Sequence, residues 1–85
     1  MSVYLYHLDL SYNRIQHLQN EIFRNCQGLR QINLSFNHIS CVETYAFRRL
    51  LRVEELNLKG NALFALSPYM FYSMKHLRFL DLSNN

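Results

Sequence analysis

The side chains of this 85-residue chain with most chemistry to offer are four histidines and two cysteines, as proton carriers, metal ligands or nucleophiles. Their spacing withholds it. His7, His17, His38 and His76 share no common interval, and Cys26 and Cys41 lack the close pairing of a metal or redox motif. No Ser-His-Asp or Cys-His set can be given catalytic roles, and two glycines supply no phosphate-cradling loop. The chain therefore reads as a non-enzyme, with no catalytic residue, no metal ligand and no cofactor. Asn33-Leu34-Ser35 is an N-glycosylation sequon, which matters only for a secreted chain. Asn33 and Ser35 also fit a pattern that runs the whole length, so the triplet needs no glycan to explain it.

That pattern is a repeat. Asn13, Asn37, Asn61 and Asn85 stand 24 residues apart, and their neighbours move with them. Leu5, Leu8, Leu10 and Ile15 surround the first Asn. Leu29, Ile32, Leu34 and Ile39 surround the second, and Val53, Leu56, Leu58 and Leu63 the third. Leu77, Leu80 and Leu82 begin a fourth copy. Each complete unit then adds an apolar residue (Leu18, Val42, Leu66) and a phenylalanine (Phe23, Phe47, Phe71). A fixed period of this length marks stacked units that bury one continuous core between them.

Within Leu8-Asp9-Leu10 and its equivalents apolar and polar residues alternate, which is the period of a strand. Past the Asn the spacing loosens, so the chain must return by a less regular path. Ser67-Pro68 predicts a single helical turn, Ser capping and Pro first inside. Asn20–Asn25 and Thr44–Arg49, without proline, predict looser returns. The Asn column predicts a ladder of side-chain amides satisfying backbone groups at each strand end. The Phe column predicts the filling between strand and return. Cys26 shares its column with Leu50 and Met74 and should be buried; Cys41, level with His17 and Ala65, should be more exposed. Free thiols follow.

Composition agrees with an ordered repeat array. Hydrophobic residues make up 49% of the chain, which excludes a disordered tail. No apolar run approaches the roughly 18 residues of a membrane span, so no membrane insertion is expected. Met1–Tyr6 lacks the basic and apolar pattern of a secretory signal. Net charge is +3, a mild excess.

The sequence Leu5-Tyr6-His7-Leu8-Asp9-Leu10-Ser11-Tyr12-Asn13-Arg14-Ile15, repeated from Leu29, Val53 and Leu77, resembles the leucine-rich repeat family, L-x-x-L-x-L-x-x-N-x-L. The 24-residue length with its late Phe is similar to the extracellular class found in Toll-like receptors and chaoptin-like adhesion proteins. The resemblance implies an α/β repeat solenoid, a right-handed coil with short parallel strands on a concave face and irregular or one-turn helical returns on the convex face. One array would fill 1–85, in coils 5–28, 29–52, 53–76 and 77–85. It lacks the family's cysteine caps, and is expected to be an uncapped fragment of a longer array.

The resemblance also implies which face binds. Beside the buried leucines, the concave residues are His7, Asp9 and Ser11; Gln31, Asn33 and Ser35; Glu55, Asn57 and Lys59; and Phe79, Asp81 and Ser83. Tyr12 and Phe36 sit at the strand exits and, with Phe79, are the expected anchors, since aromatic residues often dominate interface energy. The expected role is a non-catalytic module of an extracellular or cell-surface protein, binding a protein ligand in innate immune recognition or adhesion. Structural spacer coils, or self-association through uncapped ends, are the alternatives. The concave residues carry Asp9, Glu55 and Asp81 against Lys59, and the positive charge lies at Arg24, Arg48, Arg49, Arg52 and Lys75. A mildly acidic sheet argues against nucleic acid, which needs a continuous basic stripe.

Overall fold

The computed structural model describes residues 5–85. The first four residues of the Met1–Tyr6 segment lie outside the described residues. Each alternating apolar–polar stretch forms a strand of three residues: β1 is His7–Asp9, β3 Gln31–Asn33, β5 Glu55–Asn57 and β6 Phe79–Asp81. They stack in the order β1-β3-β5-β6, all parallel. The register is the sequence period itself, with Leu8 opposite Ile32, Ile32 opposite Leu56, and Leu56 opposite Leu80. Hydrogen bonds continue the ladder past the strands, from Leu10 N to Asn33 O (2.8 Å), Leu34 N to Asn57 O (2.8 Å) and Leu58 N to Asp81 O (2.9 Å). A smaller parallel pair was not foreseen: β2 (His17–Leu18) lies beside β4 (Cys41–Val42) after the turn.

At every strand exit the residue before the Asn has a left-handed backbone: Tyr12, Phe36, Gly60 and Asn84 have φ of 56°, 55°, 69° and 57°. The backbone ladder runs as far as that residue, whose N–H still reaches the next coil (Tyr12 N to Ser35 O, 3.0 Å; Phe36 N to Lys59 O, 2.8 Å), and beyond it the Asn column takes over. Asn37 Nδ2 donates to Leu34 O (3.0 Å) and Ser35 O (3.3 Å) in its own coil and to Leu10 O (3.0 Å) in the preceding one. Its Oδ1 accepts from Ile15 N (3.1 Å). Asn61 and Asn85 repeat the arrangement, bonding to Leu34 O and Leu58 O of the coil before. Each amide therefore ties two coils together.

The core lies between the sheet and the returns. Leu29, Ile32, Leu34, Ile39, Val53, Leu56 and Leu58 fill its sheet side, and Ala46, Leu50, Met70 and Met74 its return side. Between them Phe23, Phe47 and Phe71 stack nearly parallel, with ring centroids 6.1 Å and 6.3 Å apart. Aromatic faces aligned one coil apart bury large area and fix the coil spacing on the return side.

Among the described residues there is no helix, so the returns take the irregular form. They are also alike. Bonds between residues three apart recur in each, as Arg24 N to Glu21 O, Arg48 N to Tyr45 O and Tyr72 N to Tyr69 O. Ser67 Oγ does accept from Tyr69 N (3.3 Å), yet the turn does not lengthen into helix. The expected contrast between a helical third return and looser earlier ones is thus corrected. The coil period, not Pro68, sets the turn. Cys26 is buried in the core, Cys41 is exposed on β4, and neither is paired.

Replacing Asn37 by Ala removes four side-chain hydrogen bonds, two of which join it to the preceding coil. Leu10 O, Leu34 O and Ser35 O keep a second donor in Asn13, Asn61 and Tyr12, so Ile15 N–H is the group left without a partner, and the expected loss is about 1–3 kcal/mol. Asn13→Ala removes bonds only to Leu10 O and Ser11 O in an exposed position, and is expected to cost under about 1 kcal/mol. Urea denaturation midpoints measure both, and equal losses would contradict the intercoil role of Asn37.

Candidate functional site

The open face of the four-stranded sheet carries two rows of side chains. The first row is His7, Gln31, Glu55 and Phe79, in register across β1, β3, β5 and β6. His7 Nδ1 and Gln31 Oε1 lie 2.6 Å apart, which makes Nδ1 the donor. The second row is Asp9, Asn33, Asn57 and Asp81. Together they border a depression of about 190 Å³ lined by His7, Gln31, Asn33, Glu55, Asn57 and Phe79.

The second row is less free than its exposure implies. Oδ1 of each residue accepts the backbone N–H two positions on, at Ser11, Ser35, Lys59 and Ser83. The hydroxyls of Ser11, Ser35 and Ser83 donate to the same oxygens at 2.6 Å. These are side-chain turns that close the strand end. In Asn33 the sequon amide and the Ser35 hydroxyl are therefore bonded to each other, and Ser35 is buried. The Ser11 hydroxyl and then its backbone N–H hold the Asp9 carboxyl below its ordinary value of 3.8, and Ser83 does the same for Asp81.

Tyr12 and Phe36 are brought together; Phe79 is not with them. The Tyr12 and Phe36 rings stack at 4.8 Å and 14°, at the exit end of the strands. Beyond them Gly60 leaves the space that Phe36 occupies: a Cβ there would lie 2.6 Å from Phe36 Cδ1. Phe79 belongs to the first row, on the last strand of the sheet order.

Alternation counted back from Leu8 turns residue 6 inward, and this hid a further column. Tyr6, Arg30, Glu54 and Arg78 stand 24 residues apart beside the strand starts. Tyr6, Arg30 and Arg78 are exposed and Glu54 half-buried. The Arg30 guanidinium lies 5.9 Å from the Tyr6 ring centre, and Arg78 Nε is 3.7 Å from Glu54 Oε1. Arg30, Arg52, His76 and Arg78, with Glu54, line a depression of about 430 Å³. The repeat column itself, read without the strand rule, is the signal that finds it.

The remaining histidines are dispersed. His17 Nε2 pairs with Glu43 Oε2 at 2.8 Å beside Cys41, and His38 is exposed. Among the described residues no group of His, Cys, Asp and Glu could hold a metal ion. Nor, among them, is there a helix long and apolar enough to cross a membrane.

Two predictions follow from the side-chain turns and the aromatic stack. A lowered carboxyl pKa stabilises the fold above the unfolded value, and the contribution fades as pH falls through the folded value. Ser11→Ala should therefore raise the Asp9 pKa toward its ordinary value, while Asp81 stays low, as read by NMR titration of the two carboxyl carbons. Gly60→Ala places a side chain at a left-handed φ, costing roughly 1–2 kcal/mol, and pushes Phe36 aside. Loss of the Tyr12–Phe36 ring contacts in NMR spectra is the expected result.

Comparison with known proteins extends this picture. The leucine rich repeat model matches residues 3–63 and again 42–85. No curated protein matches the chain. A crystal structure of TLR13 in complex with the RNA ssRNA13 matches 89% of this chain, with TM-score 0.87 and 30% identity, over 11% of the TLR13 chain. That structure overturns the expectation that nucleic acid is unlikely, because a protein containing coils like these is in complex with RNA. The expectation failed physically as well. Arg30, Arg52 and Arg78 against Glu54 supply two net positive charges beside the strands, which cancel the two net negative charges counted on the sheet. With two family matches that together run from residue 3 to residue 85, and a parallel sheet in 24-residue register, the chain belongs to the leucine-rich repeat family.

Proposed function

We propose that this chain is a non-catalytic recognition segment of a longer leucine-rich repeat receptor, exposed outside the cell, that holds a protein ligand against its four-stranded sheet. The reading treats residues 5–28, 29–52, 53–76 and 77–85 as successive coils of one array. The observation that carries it is the uncovered first row, where a bonded His7–Gln31 pair, Glu55 and Phe79 follow one another in register around a shallow depression. Four chemically different side chains at strand spacing suit a specific partner better than a uniform solvated surface does. Because Asp9, Asn33 and Asp81 spend one oxygen each on side-chain turns, the first row contributes most of the contact and the second row its rim. A glycan on Asn33 would stand on this face, so the binding form carries a bare Asn33. Innate immune recognition and adhesion both fit such a segment.

A second reading is a single-stranded RNA ligand. The basic depression of Arg30, Arg52, His76 and Arg78, bordering the sheet, favours it, as does the likeness to RNA-bound TLR13. Phosphate contacts would make that binding strongly salt-dependent.

The two readings separate by experiment. A panel of purified secreted proteins and a single-stranded RNA oligonucleotide are titrated against the wild type, a Phe79→Ala, His7→Ala variant and an Arg30→Glu, Arg78→Glu variant. For a protein ligand, the first variant is expected to weaken binding about tenfold or more, the cost of losing a buried aromatic anchor. RNA binding abolished by the second variant, with no protein binder in the panel, would move the assignment to RNA. Binding by neither class would leave these coils as spacers.

A further inference from the structure

A cluster of exposed aromatic side chains lies away from the sheet, on the returns of the second and third coils. Tyr45, Arg48, Tyr69 and Tyr72 surround a cleft of about 420 Å³ floored by the buried Met70. None of these residues belongs to a strand. The three phenol rings are half or more exposed, Tyr72 to 74%. Tyr69 and Tyr72 meet edge to face with centroids 5.5 Å apart, so each holds the other's ring plane. The Arg48 guanidinium lies over the Tyr45 ring, 5.8 Å from its centre.

Charge sets the partner. No carboxylate lines the cleft, and among the described residues Arg48 has none within ion-pair distance. Its neighbour Arg49 is matched by Glu21 at 3.8 Å, and Arg48 is the one charged side chain among the residues lining the cleft. Tyrosine and arginine, with tryptophan, are enriched at protein contact centres, and tyrosine adds large area and a hydroxyl at low entropic cost. Lysine and the acidic residues are depleted there, and the cleft has none. A solvated face needs no such clustering of rings around an apolar floor.

We propose that this return-side cleft is a second protein-docking surface, taking a partner segment that presents an Asp or Glu beside an apolar side chain. The acidic group meets Arg48, and the apolar one enters between Tyr69, Tyr72 and Met70. The surface is separate from the sheet, so an array could hold its ligand on one side and an acidic partner on the other.

A library of short random linear peptides, selected on the whole chain and then resynthesised singly, tests this. Enriched peptides are expected to carry Asp or Glu next to an aromatic or aliphatic residue. Arg48→Glu and Tyr69→Ala should each weaken them about tenfold or more, whereas Phe79→Ala should leave them unchanged. Exchanging the acidic residue of the peptide for Lys should restore binding to the Arg48→Glu chain, an outcome that a misfolded variant could not give. Enriched peptides without acidic residues, weakening by Phe79→Ala instead, or displacement of the peptide from Arg48 by a single-stranded RNA oligonucleotide at lower concentration would each overturn it. Because the Phe79 variant reads the sheet and the Arg48 variant the cleft, failure of this surface is distinct from failure of the sheet reading.

Discussion

Each coil ends its strand by turning into the left-handed backbone region, and the rest of the structure depends on how the next residue repairs that turn. The turn strands carbonyl and N–H groups that no neighbouring strand can reach. An asparagine amide, with two donor hydrogens and one acceptor oxygen, is the smallest side chain that meets them on both sides of the intercoil boundary. Asn37, Asn61 and Asn85 each reach the carbonyl of the leucine that ended the preceding coil's strand. The ladder thus sets the stacking distance at one corner, as Phe23, Phe47 and Phe71 set it on the returns. Strand register agrees with these two fixed points, each strand pairing residues one period apart.

Function uses what this scaffold leaves over. Leucines that point inward make each coil dependent on its neighbours, and the positions between them are free to vary without disturbing the stack. The side-chain turns at Asp9, Asn33, Asn57 and Asp81 show that not all outward polar residues are free. They close the strand end, and their recurrence is a structural demand. What varies from coil to coil is the first row and the column before it: His7, Gln31, Glu55 and Phe79, then Tyr6, Arg30, Glu54 and Arg78. Variation at a position that the scaffold does not constrain is where recognition chemistry can reside.

The aromatic residues divide by the same logic. Phe23, Phe47 and Phe71 form one column and are core, whereas Tyr12 and Phe36 occupy a column that turns glycine in the third coil. Gly60 is not merely tolerant of a left-handed φ; its missing side chain gives the Phe36 ring its place. Tyr45 and Tyr69 share a return column beside Tyr72, and that neighbourhood creates a cleft that no single residue announces.

The period, the parallel strands, the Asn and Phe columns and the membership of a repeat family were all legible in the sequence, because each rests on short-range spacing that a 24-residue translation copies from coil to coil. Only the tertiary structure decided which outward residues act together. The aromatic trio expected to anchor a ligand separated into a Tyr12–Phe36 stack and a Phe79 outside it, because Phe79 opens its strand whereas Tyr12 and Phe36 lie past the ends of theirs. The basic column escaped notice because alternation holds only within the strand, and residues 6, 30, 54 and 78 lie just before it. The acidic reading of the sheet fell with that omission. Adjacency between coils is a property of the stacked chain, and no window of sequence shorter than the stack contains it.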